Sequence, residues 1–91
     1  MSKKEAGAAR DLDLMVKAKE IKGWERQVRI PLDVSGYHIC NYIIDFVVEH
    51  KDGTKEYLEI KGFETEVWRL KWKLFEALYG KQPNIKLTVV K

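Results

Sequence analysis

The sequence predicts an α/β (α+β) domain in which a mixed β-sheet is flanked by helices, with the element order α-β-β-β-α-β. Three observations lead to this fold class. Apolar residues follow helical spacing at the start of the chain and strand-like alternation afterwards. An Asp52-Gly53 pair between two apolar runs is typical of a β-hairpin. A final strand follows a helix that itself follows a strand, which is the pattern of a parallel crossover.

The first element is predicted to be a helix over residues 3–20. Ser2 is the expected N-cap, because Glu5 stands three residues later and completes the capping-box spacing. Gly23 is expected to end this helix. The apolar residues that recur at helical spacing are Ala8, Ala9, Leu12, Met15 and Val16.

Three strands are predicted next, over residues 24–32, 37–49 and 55–61. The first alternates apolar and polar side chains, and the second is rich in β-branched and aromatic residues, as expected of a long buried strand. Turns are predicted at 33–36 and 51–54. These turns are short, so the three strands should form an antiparallel meander.

A second helix is predicted over about residues 64–79, beginning near Thr65 and ending at Gly80, before a last strand over 85–90. A right-handed crossover through this helix would make the strand 55–61 and the last strand parallel neighbours. The 91 residues are expected to form one domain with a thin core, since a chain of this size buries only about 60–70% of its unfolded surface.

The composition argues against several protein classes. The sequence has no apolar run of about 18 residues, so no membrane-spanning helix is expected. The basic start of the chain is not followed by an apolar segment, so no signal peptide is expected. Cys40 is the single cysteine, which excludes an intrachain disulfide and a cysteine-based zinc site. The expected location is the reducing cytoplasm, that of a host cell if a phage encodes the protein.

The net charge of +3 is unevenly distributed along the chain. Residues 1–31 carry eight basic and five acidic side chains, residues 32–60 carry two and six, and residues 61–91 carry seven and three. An acidic segment therefore lies between two basic ends. A basic surface is typical of polyanion-binding proteins, and an acidic cluster within it would repel the polyanion unless a cation bridged them. A solvated surface of uneven charge is the alternative.

The predicted hairpin brings three charged side chains to one end of the sheet. Strand parity places Glu59 and Lys61 together on one face. Asp45 lies within an apolar run of the partner strand, where an unpaired carboxylate is costly. The hairpin register brings it near the same end. The alternative is an Asp45–Lys61 salt bridge on the sheet surface with Glu59 solvated.

Glu5 is predicted on the apolar face of the first helix, because Ala8 and Leu12 share that face. A third carboxylate directed toward Asp45 and Glu59 would be repelled unless a divalent cation held the group together. Oxygen ligands of this kind suit Mg²⁺ or Mn²⁺. The alternative is that Glu5 serves only as the capping-box residue of the helix.

Five features occur in order along the chain: Ser2-Lys3-Lys4-Glu5, Gln27, Asp45, Glu59-Ile60-Lys61-Gly62 and Lys71-Trp72-Lys73-Leu74. Together they resemble the PD-(D/E)XK nuclease superfamily and, within it, a small phage and prophage nuclease family similar to Holliday-junction resolvases. The resemblance covers almost the entire chain and implies a restriction-endonuclease-like core. Ile44 stands before Asp45, a position where this pattern has Pro and many members vary.

The resemblance implies a metal-dependent mechanism. The implied ligands of Mg²⁺ or Mn²⁺ are Asp45, Glu59, the backbone carbonyl of Ile60, and Glu5 through a second metal or a metal-bound water. Lys61 would lower the pKa of the attacking water or stabilise charge on the phosphorus centre. Gln27 would orient Lys61 or the phosphate. The residues implied to contact the DNA backbone are Lys3, Lys4, Arg69, Lys71 and Lys73.

The function expected from this resemblance is a divalent-metal-dependent, structure-specific endonuclease acting on branched or junction DNA. Two alternatives stay open. One is a general phage nickase or duplex nuclease, and the other is a non-catalytic DNA-binding module on a nuclease scaffold.

The second helix carries more apolar surface than one contact face requires. Its first stripe is Val67, Leu70, Leu74 and Leu78, and an adjacent stripe is Trp68, Trp72, Phe75 and Tyr79. Together they cover an arc of about 200° at helical spacing. We therefore predict a homodimer with Trp68, Trp72 and Phe75 in or near its interface. The alternative is that the first helix or the loops cover the aromatic stripe.

Overall fold

The computed structural model describes residues 3–91. Its elements, in chain order, are helix α1 (Lys3–Lys17), strands β1 (Gly23–Val34), β2 (Tyr37–Glu49) and β3 (Lys55–Ile60), helix α2 (Glu66–Tyr79) and strand β4 (Ile85–Val90). The predicted element order is confirmed. The predicted N-cap, Ser2, lies outside the described residues.

The four strands form one mixed sheet in the order β1-β2-β3-β4. The first three are antiparallel and β4 pairs parallel with β3, as predicted. Ser35 and Gly36 connect β1 to β2 with positive φ angles of 50° and 82°, which is the two-residue turn that matches strand twist. In the next turn Gly53 has a φ of 91°, and the Thr54 amide donates to Asp52 Oδ1 at 2.8 Å.

Helix α1 ends at Lys17 rather than continuing to residue 20. Lys19 adopts a left-handed φ of 61°, and the Glu20 amide donates to the Met15 carbonyl at 2.9 Å. These contacts satisfy carbonyls at the end of the helix in the way a glycine usually allows. Gly23, which was expected to end the helix, begins β1 instead.

The two helices cover opposite faces of the sheet. The core beneath α2 contains Ile30, Leu32, Tyr42, Ile44, Trp68 and Phe75, and the core beneath α1 contains Leu12, Ile21, Phe46 and Val48. On β3, Tyr57 packs on the α2 side while Leu58 and Ile60 pack on the α1 side, as strand alternation requires.

In both β1 and β2, the alternation of side chains shifts partway along the strand, so that residues of the same parity point to opposite faces of the sheet before and after that point. Trp24 packs on the α1 side and Val28 on the α2 side, although residues four apart in a regular strand share a face. The reversal in β1 falls at Gln27, whose φ is 54°. Asp45 lies opposite Gln27, and this pair is missing from the ladder between β1 and β2, which has a second irregularity at Leu32 and Asp33. The kink therefore places Asp45 at an irregular point of the sheet.

The aromatic stripe of α2 is covered by the sheet of the same chain. Phe75 is fully buried, Trp68 is almost so, and Trp72 is half-buried. The full burial of Phe75 corrects its predicted interface contact, whereas Trp68 borders two surface concavities and its place in or near an interface stays a prediction. The large apolar side chains of α2 that are exposed are Val67 and Leu70, at 64% and 71%. The homodimer itself stays a prediction.

Candidate functional site

Strands β2 and β3 separate where Asp45 and Glu59 lie opposite each other. Their ladder ends at the pair Phe46 and Leu58. Beyond it, Asp45 Oδ2 accepts a hydrogen bond from the backbone amide of Ile60 at 2.9 Å. A side-chain carboxylate thus replaces the strand carbonyl that a continued ladder would supply. This substitution explains how an acid is accommodated within the apolar run of β2.

The Glu59 side chain is buried on the α2 side of β3, with an exposure of 4%. Its Oε2 atom has no hydrogen-bond partner among residues 3–91. A buried carboxylate oxygen in that state costs free energy unless it is protonated or meets a cation. The position of Glu59 therefore suits a proton or a metal ion.

Burial and the nearby Asp45 carboxylate raise the pKa of Glu59 to about 7. Hydrogen bonding from the Tyr42 hydroxyl, the positive charge of Lys61 and the Asp45 backbone amide act in the opposite direction. Burial also raises the pKa of Tyr42 far above its ordinary value, and the negative charge of Glu59 adds to this effect. Burial and the neighbouring carboxylate therefore bring the pKa of Glu59 into the neutral range.

Trp68 of α2 contacts two polar residues of the site. Its Nε1 donates to the Tyr42 hydroxyl at 3.0 Å within the core. The Lys61 Nζ lies 5.0 Å from the centroid of the indole ring, which is within cation–π range. The Trp68 amide donates to Oγ1 of the N-cap Thr65 at 3.1 Å, so the start of α2 is fixed where the indole meets the sheet.

These side chains border one cleft of about 420 Å³. The predicted site residues that the structure brings together there are Gln27, Asp45, Glu59, Lys61 and Lys71. Lys71 stands at the rim, with its Nζ 3.4 Å from the Asn41 carbonyl. A larger concavity of about 540 Å³ lies beside β1 and the end of α2. Its charged side chains are exposed, so it lacks the buried carboxylate that distinguishes the smaller cleft.

Three predicted residues at the start of α1 lie outside this cleft. Lys3, Lys4 and Glu5 border a separate concavity of about 340 Å³, which shares only Lys61 with the cleft. Within residues 3–91, no group of three or more His, Cys, Asp or Glu side chains is close enough to hold a metal ion. The structure thus does not group Glu5 with the two cleft carboxylates, and its metal-binding role stays a prediction.

Arg69 and Lys73, predicted to contact DNA, lie on another side of α2. They border a concavity of about 360 Å³ between α2 and β4. Arg69 Nε is 3.6 Å from a carboxylate oxygen of Glu64. Among the basic residues predicted to contact DNA, Lys71 is the one that borders the cleft.

Sequence reasoning assigned no site role to Tyr42 and gave Trp68 to a dimer interface. Tyr42 offered one signal, since it is a hydroxyl-bearing residue three positions before Asp45 in an apolar strand. The sequence offered no signal for a site role of Trp68, because its hydrogen bond to Tyr42 connects positions that are 26 residues apart in the chain.

A second polar cluster lies near the start of β3. Glu56 Oε1 is 2.8 Å from His50 Nε2, and Glu56 Oε2 accepts from Thr88 Oγ1 at 2.6 Å. Burial raises the pKa of Glu56, but the bonds to Thr88 and His50 outweigh it and the net pKa is lowered. Both oxygens of Glu56 are paired, whereas Glu59 on the same strand has a free oxygen. Glu56 therefore links β3 to β4 through Thr88, and Glu59 differs from it in having a buried carboxylate oxygen without a hydrogen-bond partner.

Comparison with known sequences returns one family, described as "Protein of unknown function (DUF1064)", which matches residues 1–91. No curated protein matches the chain. Across residues 3–91, neither helix has the length and apolar character needed to cross a membrane.

Proposed function

This chain belongs to the DUF1064 family of proteins of unknown function, and we propose that it is a divalent-metal-dependent endonuclease that hydrolyses phosphodiester bonds in DNA. The observation that carries the proposal is the buried carboxylate of Glu59. Its Oε2 atom is unpartnered, and it lies beside Asp45 and Lys61 where β2 and β3 separate. Two carboxylates could hold a divalent cation that polarises a phosphate, and the Lys61 amine could stabilise the negative charge that develops on it.

The donor set fits a hard divalent cation. Asp45 and Glu59 repel each other, which contributes to the raised pKa of Glu59, and a cation would remove that repulsion. Carboxylate oxygens and a backbone carbonyl such as that of Ile60 are ligands that Mg²⁺ and Mn²⁺ accept. Glu5 would join through a second ion or a bound water. When bound, the metal supplies Lewis-acid polarisation of the phosphate and a more acidic water.

The remaining roles belong to the side chains around the carboxylates. Lys61, positioned by the Trp68 ring, stabilises negative charge that develops on the phosphate oxygens. Tyr42 donates to Glu59 and favours its ionised, ligand-competent form. Gln27, at the kink of β1, borders the cleft and orients Lys61 or the phosphate. Lys71 of α2 neutralises a neighbouring DNA phosphate.

The charge distribution and the element order support DNA as the substrate. The acidic segment of the chain supplies Asp45 and Glu59, and the basic segments supply Lys61 and Lys71 around them. The α-β-β-β-α-β order is similar to the PD-(D/E)XK core. We extend the proposal to branched DNA and to a homodimer, which would bring two such sites to one junction.

The proposal is tested by incubating the protein with labelled flaps, forks, four-way junctions and linear duplexes in Mg²⁺ or Mn²⁺. Asp45→Asn and Glu59→Gln should each lower the cleavage rate by more than about 100-fold, because each removes a metal ligand. Glu56→Gln is the matched control, since it changes a paired carboxylate on the same strand. If the Asp45→Asn and Glu59→Gln proteins cleave DNA at the rate of the unmodified protein, the proposal is wrong. If the unmodified protein binds DNA but does not cleave it, and the two variants bind DNA with the same affinity, the non-catalytic module is favoured.

A further inference from the structure

Phe63 is an exposed aromatic side chain beside the proposed cleft. It lies between β3 and α2, two residues after Lys61, and is 79% exposed. The aromatic ring pairs found within residues 3–91 do not include Phe63. A phenylalanine left in solvent contributes no burial energy to the fold. Its position therefore suggests contact with something outside the chain.

The surface next to Phe63 is concave and basic. Lys3, Lys4 and Lys61 border this concavity of about 340 Å³ together with one acidic residue, Glu5. The size is at the lower end of the range for small-ligand sites. The ammonium groups of Lys3 and Lys4 outnumber the Glu5 carboxylate, so the concavity has a net positive charge, which favours an anionic ligand.

We propose that this concavity binds an unpaired nucleotide of the DNA, with the base stacked on Phe63 and its phosphate held by Lys3 and Lys4. Basic groups combined with an exposed aromatic ring are the means by which proteins bind single-stranded nucleic acid. Lysine acts as a point charge on phosphate, and every base offers a face to the ring. A base inside a duplex is stacked on both faces and cannot reach a phenyl ring at the protein surface.

The inference deepens the proposed nuclease function and rests on it. Lys61 borders both the concavity and the carboxylate cleft. A nucleotide stacked on Phe63 therefore lies next to the phosphate in the cleft. The preferred substrate is consequently DNA with an unpaired base adjacent to the scissile bond, as at a flap or branch point, rather than continuous duplex.

Binding is measured without divalent metal, in EDTA, so that no cleavage is required. Fluorescence anisotropy compares a single strand, a duplex with a short flap, the same flap with an abasic position, and a continuous duplex. Phe63→Ala should weaken single-strand and flap binding by roughly 5- to 100-fold, the effect of losing one base stack. Phe63→Trp should preserve it. Leu14→Ala, which removes another exposed apolar side chain (63%), is the matched control and should have no effect.

Two further readouts separate stacking from charge. 2-Aminopurine at the unpaired position should be quenched by the unmodified protein and not by the Phe63→Ala variant. Lys4→Ala should reduce the slope of log K against log salt by about 1 while leaving the Phe63 effect in place.

The outcomes distinguish this inference from the nuclease proposal. Phe63-dependent, base-dependent binding without cleavage would support the nucleotide site and overturn the nuclease. If the protein cleaves DNA in a metal-dependent way but Phe63→Ala does not change its affinity for the flap, the nucleotide site alone is overturned. A polyglutamate peptide can be used as a competitor. If it displaces the flap and the abasic flap equally, and 2-aminopurine is not quenched, the nucleotide site is also overturned. The concavity would then be assigned to acidic proteins.

Discussion

Asp45 Oδ2 accepts the backbone amide of Ile60 at 2.9 Å, and this bond holds the place where β2 and β3 part. The same carboxylate repels Glu59 and contributes to its raised pKa. The Asp45 side chain therefore stabilises the fold through this hydrogen bond and, at the same time, destabilises the ionised form of Glu59. These two effects can be separated by substitution.

Asp45→Asn and Asp45→Ala should have opposite effects on the metal-free protein. Asparagine keeps an oxygen for the Ile60 amide and removes the repulsion of Glu59, so unfolding free energy should stay the same or rise. Alanine leaves that amide without its partner and should cost about 1–3 kcal/mol. Urea denaturation in EDTA measures both. Neither variant should show the increase in melting temperature that we expect Mg²⁺ or Mn²⁺ to give the unmodified protein.

Stability should fall as pH rises from about 4.5 to 7, because of Glu59. The ordinary glutamate pKa is near 4.5 and that of Glu59 is raised to about 7. Over this interval the unfolded chain loses its proton before the folded one, so rising pH favours unfolding, by up to about 3 kcal/mol. Denaturation curves at several pH values measure the slope. Glu59→Gln should flatten the dependence of the unfolding free energy on pH. If the variant shows the same slope as the unmodified protein, another group is responsible for it.

Metal affinity should follow the same ionisation. The cation needs ionised Glu59, so the apparent affinity for Mn²⁺ should strengthen with pH and level off above about 7. Isothermal titration calorimetry at pH 6, 7 and 8, in buffers of different ionisation enthalpy, measures the affinity and the proton release. Binding that neither varies with pH nor releases protons would argue against Glu59 as a ligand.

Trp68→Phe should affect stability and the site together. It retains an aromatic ring but removes the donor to Tyr42, and we expect a loss of about 1 kcal/mol. Tyr42→Phe removes the other partner, and the double variant should cost less than the two single changes combined, because they break one bond. Chemical denaturation of the three variants gives the coupling. Strict additivity would mean that the 3.0 Å contact contributes nothing.

The Glu56 cluster should support the fold above the acid range. Its lowered pKa means that the stabilisation is present above the ordinary glutamate pKa and is lost as pH falls through the lower folded value. Thr88→Val removes one of the two bonds and should cost about 1 kcal/mol at pH 7. The difference between Thr88→Val and the unmodified protein should shrink in acid, as measured by thermal unfolding from pH 3 to 7. A constant difference would contradict the linkage.

The predicted homodimer can now be tested on exposed residues. Phe75→Ala should cost about 3–5 kcal/mol because the ring is fully buried in one chain. Leu70→Glu should leave stability nearly unchanged, since the side chain is exposed, and should convert a dimer to monomers if α2 forms its interface. Sedimentation velocity at several concentrations measures the state. A monomer in both proteins would remove the dimer from the proposal.

Strand and turn chemistry made most of the fold predictable. The bounds of β2 and β4 agree with the sequence prediction because runs of β-branched and aromatic residues between turns are local signals. The end of α1 did not agree, because a lysine at position 19 adopts a conformation that usually favours glycine. The kink at Gln27 was equally invisible, since nothing in its side chain requires a positive φ.

The sequence by itself determined that Asp45, Glu59 and Lys61 meet at one end of a hairpin, because register and strand parity are local properties of the chain. Only the tertiary structure decided that Glu59 is buried, that its pKa is raised to about 7 and that Glu5 borders a neighbouring concavity. It also decided that the sheet covers the aromatic stripe of α2. Burial and charge proximity depend on contacts between elements far apart in the chain, and no local pattern encodes those distances.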